Sequence, residues 1–297
     1  MKSEQNTMPY YVLDVFTNER FKGNPLPVVV TGKALETSLY QQISREFGYV
    51  ETSFMHYSKE DKALHVRSFT RQGREISGAG HNLLGAVSLA VLKDMNVFRV
   101  QEGGPTVIMK DKRVQLSIET NSSDLPFIGM LQQPARTGNT VPAEDIAAAL
   151  HLAPEDVKLY DWQPTVVTTD VPHLMVPLRN IDALNRAAQA GSALQNIATG
   201  YGFQGCYCFT MTNKDTPQIA QARFFLPGGG EDAATGSAAG PLGGYLFQKG
   251  YIHKEKEYAV LQGVKLQQPS ILRFRVTGAG IWVSGASTIV MEGILHV

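Results

Sequence analysis

Two glycine-rich stretches carry the first chemical signal in the 297-residue chain: Gly78-Ala79-Gly80-His81 and Thr235-Gly236-Ser237, each opening an apolar helical pattern. A helix start presents N–H groups with no partner inside the helix, and the positive end of the macrodipole. Glycine there lets a ligand approach the backbone closely. Gly80, His81, Gly236 and Ser237 are therefore candidate substrate-binding positions for an anion such as a carboxylate. Taken singly, each stretch reads more often as a plain turn before a helix. Finding two of them weighs against that.

Three titratable residues stand near these stretches. His81 opens the first helix, where a neutral imidazole can hydrogen-bond a substrate or relay a proton; the competing role is a satisfied structural histidine. Asp232 lies just before the second helix and can accept from a substrate amine or hydroxyl. Its competing and more common role is to stabilise the helix N-terminus. Glu51 sits in the mostly apolar run Tyr49-Val50-Glu51-Thr52-Ser53-Phe54. A carboxylate partly desolvated by such neighbours suits a general base, against the alternative of a solvent-facing strand residue. Glu51, His81 and Asp232 are the catalytic candidates.

Several function classes are excluded by what is missing. Gly78 and Gly80 begin a G-x-G-x-x-G pattern, but the third glycine position is Leu83, and the preceding Arg71 to Ser77 are too polar for the buried strand a dinucleotide site needs. There is no G-x-x-x-x-G-K-[ST] loop and no G-x-S-x-G elbow. The 7 histidines are scattered, with no H-E-x-x-H or Cys/His cluster, so no metal is expected. Lys+Arg and Asp+Glu both total 27, giving net charge +0 and no electrostatic reason for nucleic acid or an anionic membrane as partner. Met1 to Met8 are polar, without the apolar segment of a signal peptide, and are expected to fray. The longest apolar stretch, Leu83 to Leu92, is too short to span a bilayer. Cys206 and Cys208, two apart in a predicted strand, rarely meet disulfide geometry. They read as reduced and structural, which suits a cytoplasmic protein.

The elements that must position these residues alternate strand and helix. In the first half, strands are predicted at Tyr10 to Phe16 and Pro27 to Val30. A helix follows, started by a capping box of Ser38 and Gln41 and stopped at Gly48. Strands come next at Val50 to His56 and Leu64 to Thr70, then a helix over Asn82 to Met95. A hairpin spans Thr106 to Met109 and Val114 to Ile118, turning over Lys110 to Arg113. Asn121 to Asp124 read as the crossing between domains. In the second half, helices are predicted near Ala143 to Leu150, Ile181 to Ala190 and Ala238 to Lys249, with Pro241 near the edge of what the last one tolerates. Strands are expected at Thr165 to Thr168, Leu174 to Pro177, Gly205 to Thr212 and Ile219 to Leu226. The helices after both glycine turns are apolar on nearly all sides, the pattern of a helix buried all round.

One unit recurs. Val66-Arg67-Ser68-Phe69 precedes the first glycine turn and Ala222-Arg223-Phe224-Phe225 the second, and Phe69 stands as far from His81 as Phe225 from Ser237. Matching order and spacing indicate internal duplication of a strand, a glycine loop and a buried helix.

Asp14-Val15-Phe16-Thr17, Phe21-Lys22-Gly23-Asn24-Pro25 and Glu51-Thr52-Ser53-Phe54 resemble the early motifs of the PhzF-like family of phenazine biosynthesis. Phe69-Thr70 with Glu75 and Gly80-His81, and Glu231-Asp232-Ala233-Ala234-Thr235-Gly236-Ser237-Ala238, are similar to its later ones. The resemblance implies an α+β fold like diaminopimelate epimerase: two similar domains, each an antiparallel barrel-like sheet around a central buried helix, with the active site between them. The expected domains are residues 1–122, completed by the last strand at about 286–297, and residues 123–285. The resemblance further implies no cofactor, a homodimer, and Glu51 as the acid/base, with His81 and Asp232 holding the substrate. Many relatives have cysteine where this chain has Ala79. Thiol racemases of the same fold need cysteines at the positions of Ala79 and Thr235, so two-thiol racemisation is excluded here.

The expected function is a cofactor-independent isomerase moving a proton on a small carboxylate-bearing molecule. Lacking an electron sink such as pyridoxal phosphate, it must act on a proton already acidified by a carbonyl or conjugated system. The rival readings are a lyase or non-thiol epimerase on the same site, and a non-catalytic protein that binds a small molecule.

Overall fold

A computed structural model describes residues 7–76, 78, 80–95, 97–98, 104–120, 125–212 and 217–297. The chain divides into two compact units, 1–130 with 284–297, and 131–283. Asn121 to Asp124, read as a domain crossing, and Ala79 lie outside the described residues.

The first unit contains β1 (Thr7–Val15), β2 (Asn24–Val30), α1 (Thr37–Phe47), β3 (Glu51–Ser58), β4 (Ala63–Thr70), β5 (Glu75–Ile76), α2 (His81–Leu92), β6 (Thr106–Met109), β7 (Lys112–Thr120) and β8 (Pro126–Gln132), which runs to its boundary. The pairings β1–β2, β3–β4, β4–β5 and β6–β7 are antiparallel, while β2–β3 and β4–β6 are parallel. Thr7 and Met8 are not a frayed tail. They pair with His296 and Leu295 of the chain's last strand, so backbone hydrogen bonds hold them despite their polar surroundings in sequence.

The second unit contains β9 (Arg136–Thr140), α3 (Ala143–Ala149), β10 (Thr165–Thr168), β11 (Pro172–Pro177), α4 (Ile181–Arg186), α5 (Ala193–Tyr201), β12 (Cys206–Met211), β13 (Ala220–Phe225), β14 (Glu231–Asp232), α6 (Gly236–Gln248), β15 (Glu257–Gln262), β16 (Ser270–Val276) and the first residues of β17 (Ile281–His296). Its pairings repeat those of the first unit. β10–β11, β12–β13, β13–β14 and β15–β16 are antiparallel, and β11–β12 and β13–β15 are parallel. The duplication seen in the sequence is thus a duplication of topology, an α+β unit built twice.

Each sheet curls around one apolar helix. In α2 every residue from His81 to Ala90 is buried, and it packs on β1, β2 and β3. In α6 the run Ala238 to Leu246 is buried against β10, β11 and β16. Each fully buried Leu or Val in such a helix contributes roughly 1.5–3 kcal/mol. The approach is close: a side chain at Gly85 in α2 would begin 2.6 Å from Leu26 Cδ2 and 2.9 Å from Val15 Cγ2. Pro241 is accommodated inside α6. It has no N–H to give the Ser237 carbonyl, so that turn lacks one helical hydrogen bond. The outer faces are covered differently. In the first unit Tyr40 and Ile43 of α1 pack on Val29, Phe54 and Phe69. In the second, α3, α4 and α5 share that task, with Ile146, Leu184 and Leu194 in one cluster.

Local differences from the sequence reading have local causes. The Ser38 capping box does not form, because α1 starts two residues earlier with Glu36 as its N-cap and no side-chain cap bond among the described residues. Gly48 does end this helix, in the left-handed conformation at φ 71°. The β6–β7 turn is tighter than expected, since Lys110 and Asp111 both adopt positive φ, as two-residue hairpin turns require. Cys206 and Cys208 are free, buried and 3.7 Å apart.

Candidate active site

In the first unit the topology brings Glu51 and His81 together. Glu51 opens β3 opposite Thr70 of β4, and His81 opens α2. His81 Nε2 lies 3.9 Å from Glu51 Oε2, with side-chain exposures of 9% and 16%. That separation is too long for a hydrogen bond, and it sets a carboxylate beside an imidazole in a poorly solvated site. Glu51 is therefore not the solvent-facing strand residue that the sequence also allowed. Ser53, two residues further along β3, ties the strand to the helix: its Oγ is 2.7 Å from Ser68 Oγ and donates to the Asn82 carbonyl at 3.0 Å.

The helix start itself is organised by Asn82. Its Oδ1 accepts from the Gly80 and Leu83 N–H groups, both at 2.8 Å, and its Nδ2 donates to the Gly78 carbonyl at 3.2 Å. The Gly80 N–H is thus already engaged and does not offer itself to an anion, contrary to the simple expectation for this turn.

In the second unit Asp232 forms β14 opposite Phe224. Its Oδ2 accepts from Thr235 Oγ1 at 2.6 Å, within the turn that leads to Gly236 and Ser237. Gln262 locks this turn from across the sheet. Its Nε2 donates to the Asp232 carbonyl at 2.8 Å and to Thr235 Oγ1 at 3.0 Å, and its Oε1 accepts from the Thr235 N–H at 3.2 Å and from Tyr207 Oη at 3.0 Å. Burial, and secondarily the Asp232 charge, push the Tyr207 phenol upward, so it stays a donor. The first-turn N–H groups of Gly236 and Ser237 have no acceptor inside the helix, by the geometry of any helix start. The Gly236 carbonyl accepts from Gln132 Nε2 at 2.9 Å. Ser237 Oγ lies 3.1 Å from His173 Nε2.

Both glycine loops are bracketed by the same ion pair. Arg67 donates through Nε and Nη2 to Glu75 at 2.8 and 2.9 Å, and Arg223 through the same atoms to Glu231 at 2.9 and 2.7 Å. Two parallel charge-assisted bonds fix the loop's mouth in a way a lysine cannot. The Arg67 guanidinium holds the Glu75 carboxyl below the usual carboxylate range, against its partial burial. Arg223 is buried more deeply and also donates to the Leu184 and Ala187 carbonyls at 2.9 and 2.7 Å.

Asn82, His173, Tyr207 and Gln262 were not singled out from the sequence. Asn82 had a local signal, an amide side chain directly after the first glycine turn. The other three have none, since they arrive from strands 27 to 64 residues away from their partners. Among the described residues no three His, Cys, Asp or Glu side chains stand close enough to hold a metal ion, and no helix is long and apolar enough to cross a membrane.

Residues 13–293 match the family model of phenazine biosynthesis-like proteins, PhzC-PhzF. An uncharacterized isomerase of Mesorhizobium japonicum is 30% identical over 92% of each chain. The trans-2,3-dihydro-3-hydroxyanthranilate isomerase of Pseudomonas aeruginosa is 30% identical, over 96% of this chain and 98% of its own length. Among solved structures, a predicted epimerase from Pseudomonas aeruginosa superposes with a TM-score of 0.80 at 30% identity, covering 97% of this chain and 99% of that one. The chain belongs to the phenazine biosynthesis-like PhzC-PhzF family, a family of isomerases.

Proposed function

We propose that this enzyme moves a proton between two positions of a small carboxylate-bearing substrate without a cofactor, with Glu51 as the single acid/base. The observation that carries the proposal is the Glu51–His81 pair, a carboxylate and an imidazole 3.9 Å apart and largely withdrawn from water. Glu51 takes a proton from a carbon acidified by an adjacent conjugated system, the electron pair shifts along that system, and the same carboxyl returns the proton to another carbon. Nothing is oxidised or reduced. His81 stabilises or relays the charge, while Asp232 accepts from a substrate amine or hydroxyl. Gly236 and Ser237 bind the carboxylate, and the Gly80 turn sets the position of His81.

The relative from Pseudomonas aeruginosa makes trans-2,3-dihydro-3-hydroxyanthranilate the first compound to try, since it carries a carboxylate, an amine and a hydroxyl. Incubated with it in deuterium oxide, the wild-type enzyme should yield an isomer labelled at carbon, read by NMR. Glu51→Gln should keep the fold by circular dichroism and lose about two to four orders of magnitude in exchange. Undiminished exchange in that variant would sink the assignment. The similarity to a predicted epimerase supports a second reading, inversion at one carbon by the same base. The stereochemistry of the product separates the two.

A further inference from the structure

The two units hold their imidazoles in exchanged places. In the first, His81 opens the helix, and the strand beneath carries Leu26, whose side chain packs against Gly85. In the second, the position matching His81 is Ser237, and the strand beneath carries His173. The register makes the match. Val28 pairs with Ser53, which pairs with Ser68; Met175 pairs with Tyr207, which pairs with Phe224, the counterpart of Ser68. Two residues before Val28 stands Leu26, and two before Met175 stands His173.

A buried imidazole in place of a leucine has a desolvation cost, and this one is 3% exposed. Its ring stands edge-on to Phe224 at 5.2 Å. Its Nε2 reaches Ser237 Oγ at 3.1 Å, and its Nδ1 has no hydrogen-bond partner among the described residues. Orphaned buried N–H groups are rarer than orphaned acceptors, so the proton belongs on Nε2 and the bare lone pair on Nδ1. The imidazole then donates to Ser237 Oγ. The serine's own proton is left to point elsewhere, and Ser237 is only partly buried.

We propose that His173 is a positioning residue that fixes the Ser237 hydroxyl as a hydrogen-bond donor toward the substrate's anionic group. This rests on the reading of Ser237 as a substrate-binding position. Leucine at this place would leave the hydroxyl free to rotate and to satisfy itself on nearby carbonyls. Burial lowers the His173 pKa to about 3, so the ring does this as a neutral group.

The tautomer is measurable without substrate. Long-range 1H–15N correlation on the 15N-labelled protein should show His173 protonated at Nε2, with a resonance that moves in Ser237→Ala; protonation at Nδ1 overturns the proposal. Kinetics give a second, independent readout. His173→Leu should raise KM for trans-2,3-dihydro-3-hydroxyanthranilate about tenfold with kcat nearly unchanged, the effect of about one hydrogen bond to a charged group. His173→Gln, which returns an N–H near the same place, should restore most of it. Added to Ser237→Ala, His173→Leu should have no further effect, whereas additive losses overturn the link between the two residues. Failure of Glu51 as the base would appear as exchange surviving Glu51→Gln. That result leaves the tautomer and the His173–Ser237 coupling standing.

Discussion

At the point where β3 begins, the first unit has Glu51; at the matching point before β12, the second has Gly205. The register gives the match, since Thr52 pairs with Phe69 and Cys206 with Phe225. Gly205 has no room for a side chain: a Cβ there would lie 1.9 Å from Phe224 Cζ. In the first unit Phe224's place is taken by Ser68, a far smaller side chain that bonds Ser53. One duplicated scaffold thus holds a carboxylate in one copy and an aromatic plug in the other. The plugged copy keeps a different polar set, Tyr207, Gln262, Thr235 and Asp232, joined by hydrogen bonds of 2.6–3.2 Å. Duplication preserved the frame, and the chemistry diverged at positions where a side chain's volume decides what fits.

The comparison can be broken at several points. The largest stability effect is expected at the paired arginines. Glu231→Gln leaves the deeply buried Arg223 charge without its counter-ion, held by backbone carbonyls such as those of Leu184 and Ala187, and should cost about 3–5 kcal/mol by urea denaturation. Glu75→Gln, beside the more exposed Arg67, should cost about 1 kcal/mol after solvent screening is allowed for. Equal costs would show that the two ion pairs are not differently buried in solution. Gly205→Ala should cost about 1–3 kcal/mol through overpacking against Phe224. Glu51→Ala, at the matching site, should change stability by less than about 1 kcal/mol while removing exchange.

Acid sensitivity is a further mark of the His173 position. The His173 pKa is near 3 in the folded protein and about 6.5 when unfolded, so between those values the unfolded chain binds a proton that the folded one does not. Stability from this group is complete above pH 6.5 and falls as pH drops toward 3. From pH 7 to pH 5 the loss should be about 2 kcal/mol, and His173→Gln should lack it in denaturation curves at the two pH values. A modest effect is expected at Asn82. Asn82→Ala removes the side chain that accepts from two N–H groups at the start of α2 and should cost about 1 kcal/mol in Tm-derived stability. A shift in the Glu51-dependent exchange rate would show that this cap also sets where His81 stands.

Much of this was legible in the sequence because it depends on local order. The recurrence of Arg67 to His81 as Arg223 to Ser237 announced the duplicated topology, and the all-apolar helices announced what lies at the centre of each sheet. Glu51, His81 and Asp232 stood out because each sits beside a glycine turn or in an apolar run. What escaped notice depends on contacts between distant strands. Gln262 looks like any polar residue at a strand end, and His173 like any strand histidine, until the sheet places one over the Asp232 turn and the other under Ser237. The turn at Gly80 misled in a different way. A glycine beside a helix start suggests open N–H groups, but the Asn82 side chain had already claimed one of them. The capping box at Ser38 failed because Glu36 starts the helix earlier.

The strand that completes the first unit comes from the last residues of the chain, with Thr7 opposite His296 and Val15 opposite Ser287. Emergence from the ribosome therefore runs against the order of the two units. Residues 131–283 are contiguous and have their sheet available once Val283 is out, whereas β1 waits for residues 287–296. Until then β1 has β2 on one side and an open row of backbone donors and acceptors on the other, the kind of edge that recruits foreign strands. Truncation after Val283 would make that interval permanent, so loss of residues 284–297 should turn an enzyme into an aggregating chain.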